Sequence, residues 1–348
     1  MPQSLLPAVL LGSAILFAQD PAPPPDVTLD AAIRDEVIDR VLEALNVAYV
    51  FPDVAKTMEE AIRARQHSKE YDAITSSRQL AQLLTEHLRE VSRDEHLSVN
   101  FFAQPPRSPS APPGAIGQTL EERQRTIFGR QNFGFARLER LAGNIGYVDL
   151  RGFVPPAFGG DTAAAAMTLL ASTDAVIFDL RENGGGDPRM VAFITSYLFG
   201  PQPVHLNDFY DRRTNETRAS WTLPYLPGRR LTDVDVYVLT SSRTFSGGEE
   251  FTYNLKHLKR AIVVGETTGG GAHTVGSERI NSHFSISVPS GRPINPVTKT
   301  NWERVGVEPD VKVPAESALK AAHLMALEKQ QQAVGADAPG FRNEVAAT

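Results

Sequence analysis

The sequence predicts an α/β protein: a core of parallel crossover units preceded by a small N-terminal unit of three helices. Three observations carry this. From about Asn132 onward, short apolar runs alternate with stretches of helical periodicity, the pattern of strand–helix–strand crossovers. From Thr28 to about Arg93 the periodicity is helical. Between the two lies Gln104–Pro113, rich in proline and serine, where missing donors and fixed φ leave a linker or mobile loop.

The elements follow in order. Ile33, Val37, Ile38, Val41, Leu42 and Leu45 fall on one face of a first helix. Val54–Arg65 gives a second. Ser76–Val91 gives a third, with Leu80, Leu83, Leu84 and Leu88 at helical spacing. At Asp94-Glu-His-Leu-Ser-Val the helical unit gives way to strand. Phe133–Leu138 and Asn144–Leu150 are two strands across a turn at Gly143. Further strands are expected at 175–180, 234–239, 261–264 and 284–288. Helices are expected at 162–171, 188–199, 246–257 and 315–331. The expected division is therefore a helical domain over 19–93, a connecting strand and linker over 94–132, a core over 133–332 and a tail over 333–348.

Residues 1–18 read as an export signal, apolar from Leu5 to Phe17, with small residues before a cut after Ala18. Its positive region holds only the terminal amine. The apolar stretch is short for a membrane span, and no later segment is long and apolar enough to cross a bilayer. The mature chain is expected to be periplasmic or secreted.

Composition excludes several classes. The 348 residues carry a net charge of −6 with no long block of one sign, which argues against nucleic acid as the main partner. The absence of cysteine rules out a thiol nucleophile, thiolate metal sites and disulfides. The eight histidines are scattered without a His-Glu-x-x-His or other close cluster, so no metal is expected. No dinucleotide fingerprint occurs, so no cofactor is expected.

The segment Thr240-Ser-Ser-Arg-Thr-Phe-Ser246-Gly-Gly-Glu-Glu250 carries the chemistry. A buried strand stops in a hydroxyl-rich turn, and a helix begins near Ser246. A serine there sits beside unpaired backbone N–H groups that can stabilise an oxyanion. A plain N-cap serine would look the same. A second strand ends in Arg181-Glu-Asn-Gly-Gly-Gly186-Asp187. Two strand-end loops of this kind face one crevice in an α/β sheet, so the N–H groups of Gly185 and Gly247 are candidate oxyanion donors. Serine needs a base. His96 and His273 are the candidates, since His257 lies too far along the helix that Ser246 starts. Glu303 is a candidate orienting acid; alone it is an exposed acid in a loop. No Gly-x-Ser-x-Gly elbow and no Ser-x-x-Lys pair is present.

Five segments then occur in an ordered set: Gly143–Leu150, Val176–Gly186, Thr240–Phe251, Val264–Thr268 and Gly306–Asp310. Together they resemble the tail-specific (C-terminal processing) serine peptidase family, over roughly half the chain. The N-terminal helices resemble the branch related to interphotoreceptor retinoid-binding protein. The resemblance implies a crotonase-like (ClpP-like) core and hydrolysis of peptide or protein substrates. It implies Ser246 as nucleophile and Gly185 and Gly247 as the oxyanion hole. The stretch from His96 to Phe133 is too short for the PDZ domain of the processing branch, so that domain is expected to be absent. Gly271 stands where that branch carries its lysine base. The tricorn-like and chlamydial-protease-like branches use a histidine and a glutamate at positions matched here by His96 and Glu303. The implied triad is Ser246–His96–Glu303, with His273 as the other histidine near the vacated lysine position. The alternatives are a non-catalytic module binding an apolar ligand or extended peptide, and an esterase.

Overall fold

A computed structural model describes residues 25–104 and 119–334. The export signal, most of the proline-rich linker and nearly all of the expected tail lie outside the described residues.

The chain opens with three helices, α1 (Ala31–Ala48), α2 (Pro52–His67) and α3 (Ser77–Ser92). Asp30 and Ser76 cap α1 and α3 by accepting the Ile33 and Gln79 N–H groups, and Pro52 opens α2, where its missing N–H costs nothing. Strand β1 (Ser98–Phe101) follows, then α4 (Leu120–Arg130), closed at its start by a reciprocal Thr119–Glu122 capping box. The antiparallel pair β2 (Phe135–Leu141) and β3 (Ile145–Leu150) leads into α5 (Pro156–Leu170), β4 (Ala175–Asp179) and α6 (Pro188–Ser196). Next come β5 (His205–Asp211), β6 (Glu216–Trp221), β7 (Asp235–Thr240), α7 (Gly247–His257) and β8 (Ile262–Gly265). The last elements are β9 (Thr274–Arg279), β10 (Phe284–Ile294), β11 (Val311–Lys312) and α8 (Ala318–Val334).

Two sheets result. The six-stranded sheet has order β11-β8-β7-β4-β3-β2, parallel except for the β2–β3 pair. Its inner strands β4 and β7 are apolar on both faces because helices cover both. Val176, Phe178, Val236 and Val238 face α5, α6 and α7. Ala175, Ile177, Tyr237 and Leu239, one residue out of phase, face α8. This is the crossover core that the alternating pattern predicts.

The second sheet is antiparallel, with order β1-β10-β5-β6 and β9 paired on β10. Its inner face does not form a core of its own. Ile280, Phe284, Ile286 and Val288 pack into the same cluster as the apolar faces of α1, α2 and α3. The N-terminal helices and the second sheet thus share one interior, across the boundaries expected at 93 and 133.

Candidate active site

Ser246 sits where β7 gives way to α7, and the hydroxyl-rich turn has a structural purpose. Thr244 Oγ1 accepts the Ser241 N–H at 3.0 Å and donates to the Leu180 carbonyl at 2.7 Å. Ser241 Oγ donates to the Arg181 carbonyl at 2.6 Å, and the Phe245 N–H to the Asn183 carbonyl at 2.9 Å. The turn is stitched to the loop that follows β4. Ser246 itself is held at φ 52°, ψ −117°, a strained conformation for a residue with a Cβ.

The Glu249 carboxylate holds that conformation. It accepts the Ser246 N–H at 2.9 Å, the Gly270 and Gly271 N–H groups at 2.7 and 2.8 Å, and the Thr268 hydroxyl at 2.5 Å. One buried side chain therefore ties the serine backbone to the glycine loop that leads into His273. Burial pushes the Glu249 carboxyl up to about 7, against these four hydrogen bonds, which favour the charged form.

The loop after β4 closes on Ser246. A Cβ on Gly185, whose φ is 103°, would stand 2.6 Å from Ser246 Cβ and 2.8 Å from the Gly247 nitrogen. The Gly185 N–H, expected as an oxyanion donor, is bonded to Asn183 Oδ1 at 2.8 Å and so points away from that task. Asn183 is in turn fixed by its amide on the Leu150 carbonyl at 2.7 Å. The neighbouring Gly186 N–H takes no part in the backbone bonding of these loops, and neither does the Gly247 N–H at the start of α7. The two lie side by side, since a Cβ on Gly247 would be 3.0 Å from the Gly186 nitrogen.

The histidines separate clearly. His273 lines a cavity of about 260 Å³ together with Ser246, Gly247 and Gly186. Its Nδ1 is 2.6 Å from Asp94 Oδ2 and 3.6 Å from Glu303 Oε2. That leaves Nε2, on the other side of the ring, for the serine. No hydrogen bond joins Ser246 to His273 among the described residues; such contacts are often loose in an unliganded site and tighten around substrate. His96 is elsewhere. Its ring packs on Phe245 with centroids 4.6 Å apart, and both ring nitrogens are buried without a hydrogen-bond partner among the described residues, Nδ1 standing 4.0 Å from Asp94 Oδ1. Burial lowers its pKa, against the pull of Asp94. In Asp94-Glu-His96 it is the carboxylate that bonds His273, while the imidazole packs on Phe245.

Gly271 explains the missing lysine. A Cβ there would lie 2.7 Å from His96 Cε1 and closer still to the Phe245 ring. The seat of a lysine side chain is filled by those two rings.

Asp94 is buried at the junction of α3 and β1. Burial works against its charge, but the hydrogen bond from His273 and the two nearby imidazoles outweigh it and hold its pKa below the usual value. Tyr49 donates to the same oxygen at 3.2 Å, and the His96 N–H to the other at 3.1 Å. Glu303 accepts the Ala272 N–H at 2.7 Å and leaves its second oxygen buried and unpartnered. Burial pushes its carboxyl up, against the pull of His273. Asp94 is the residue that sequence reasoning passed over. Its signal lay in the quoted segment, two positions before the favoured histidine.

Residues 144–313 match the model of peptidase family S41, and residues 27–127 match the N-terminal domain of peptidase S41 in eukaryotic IRBP. Only 128–143 lies between the matches, too little for an intervening PDZ domain. Solved structures share the fold. A candidate peptidase from Parabacteroides merdae is 18% identical with a TM-score of 0.57, covering 84% of this chain and 96% of that one. A variant of CPAF is 11% identical with a TM-score of 0.60, covering 86% and 98%. The photosystem II D1 C-terminal processing protease is 15% identical with a TM-score of 0.50, covering 83% and 94%.

Proposed function

The chain belongs to peptidase family S41 and is a serine-type peptidase, and from that premise we propose that Ser246 is the nucleophile, His273 its base and Asp94 the anchor of that base. The observation that carries this is the shared cavity: Ser246 and His273 line it together, with Nδ1 of the imidazole held 2.6 Å from a buried carboxylate. Asp94 fixes the tautomer that leaves Nε2 as acceptor and stabilises the imidazolium formed when the serine proton arrives. Glu303, 3.6 Å from the same Nδ1, adds a second negative charge beside that cation. The implied Ser246–His96–Glu303 arrangement thus keeps its nucleophile and its glutamate, while the base and the principal acid become His273 and Asp94.

The reaction proceeds in two halves. His273 accepts the Ser246 proton as Oγ attacks the peptide carbonyl. The Gly186 and Gly247 N–H groups receive the developing oxyanion; losing one such donor slows acyl transfer by roughly 10²–10³-fold. His273 then protonates the leaving amine, and water completes hydrolysis of the acyl-enzyme by the same route. Room exists on both sides of the Gly185–Gly186 loop. Beyond it a second cavity of about 1020 Å³ is lined by Phe128, Phe135, Phe153 and Arg151, so an extended peptide can run past the serine in both directions.

Labelling with a serine-directed phosphonate tests the nucleophile. The wild type is modified at Ser246, and Ser246→Ala is not; equal modification of both would refute the assignment. Export to the periplasm or medium rests on residues 1–18 alone and is checked by the N-terminus of the protein recovered from cells, expected at Gln19. Among the described residues no helix is long and apolar enough to cross a membrane.

A further inference from the structure

The cavity that holds Ser246 and His273 contains a carboxyl group that the hydrolytic steps do not use. Glu250 lies one turn into α7 and is only 2% exposed, yet it lines this space. Among the described residues its one hydrogen bond is long, 3.3 Å from Asn207 Nδ2 to Oε1. The remaining walls are apolar or neutral: Pro188, Phe209, Val275 and Trp302. Among the described residues no lysine or arginine lines the cavity. Buried carboxylates are ordinarily paired with a cation or with several donors, and an isolated one is costly. Glu249, its neighbour in sequence, has four donors; Glu250 has one.

We propose that this cavity receives the substrate side chain next to the scissile bond and that Glu250 selects a basic one, a lysine or arginine. The inference rests on the catalytic reading above, since it places the scissile carbonyl at Ser246. The chemistry fits in two parts. Apolar walls match the methylene stem of a long basic side chain, and the head group reaches a carboxyl that lacks a counter-charge. A cation entering there is desolvated beside a single buried partner, where a pair is far stronger than at the surface.

The groups around Glu250 support this. Asp187, from the loop before α6, adds negative charge, although Arg189 pairs with it from the solvent side. Asn207 from β5 and Asn254 from α7 are neutral and bond each other at 3.0 Å. His273 is the basic group that also lines the cavity, held by Asp94. Burial, with Asp187 adding to it, pushes the Glu250 carboxyl up to about 8. At neutral pH the empty cavity therefore holds a protonated acid, and an arriving ammonium displaces that proton. Preference for a basic over an apolar side chain of equal length rises with pH toward 8 and then levels off.

The test uses binding, so that it does not depend on turnover. Full-length Ser246→Ala protein is titrated by calorimetry with Nα-acetyl-lysine amide and Nα-acetyl-norleucine amide between pH 6 and 9. The expected result is lysine favoured by about tenfold or more at pH 8.5, with a smaller preference at lower pH and proton release on binding that is largest below pH 8. In the Ser246→Ala, Glu250→Gln double variant the preference collapses to near unity. Equal affinities at every pH, or a preference that survives Glu250→Gln, overturns the inference. If the double variant does not fold, the pH series on Ser246→Ala decides alone. A null result here, alongside phosphonate labelling of Ser246, would sink the specificity assignment and leave the catalytic one standing.

Discussion

At the scale of the residue, the site turns on which way two neighbours point. Asp94 and His96 flank one position, and the structure sends the carboxylate to His273 and the imidazole onto Phe245. His273→Ala is therefore expected to lower kcat/KM by about 10⁴-fold. His96→Ala is expected to lower thermal stability by opening a hole beside Phe245, with a far smaller loss of turnover in the folded fraction. Kinetics on a fluorogenic peptide, with melting curves on the same samples, separates the two. Ser246 was legible in the sequence because strand, turn and helix are local and read in order. The base was not, because two histidines lie 177 positions apart and nothing in spacing says which enters the cavity. Glu250 supplies a pH prediction. Its folded pKa, about 8, lies above the ordinary 4.5, so its contribution to stability is fully present below 4.5 and is lost as pH rises from there through 8. Glu249, pushed up to about 7, acts in the same window. The melting temperature is expected to decline between pH 5 and 8, and Glu250→Gln to reduce that slope without removing it.

At the scale of the element, function depends on two loops pressed together at the ends of β4 and β7. Gly185 has φ 103°, and a Cβ there would stand 2.6 Å from Ser246 Cβ. Gly185→Ala is expected to cost about 1–3 kcal/mol of stability and to slow phosphonate labelling by at least tenfold; urea melts and labelling rates check both. The crossover strands and their helices were legible because each carries a continuous apolar run or a one-sided face. The missed elements lack that signal. No residue of α4 is buried, and β6 is exposed along most of its length. β10 was expected to stop at Val288, yet it runs to Ile294 through Pro289 and Pro293. A register shift between Pro289 and Gly291 accommodates the first proline, since a bulge needs no ladder donor there.

At the scale of the whole molecule, the serine comes from the crossover sheet and the base from the approach to β9 in the second sheet. Its anchoring acid comes from the end of the helical unit. That unit is therefore more than a cap, because α1, α2 and α3 share a core with β1 and β10. A chain lacking residues 1–93 is expected to be insoluble or to lack cooperative unfolding, because Phe284, Ile286 and Val288 lose their cover. A soluble, cooperatively folded truncation would contradict the shared interior. Sequence periodicity found both parts but not their fusion, since contact between distant segments leaves no periodic trace. The account comes together in one experiment: phosphonate labelling of Ser246, followed by mass spectrometry, in the wild type and in His273→Ala, Asp94→Asn and His96→Ala. The account predicts fast labelling in the wild type and in folded His96→Ala, and loss of most of the rate in the other two. Labelling that collapses in His96→Ala while His273→Ala reacts at the wild-type rate would contradict it.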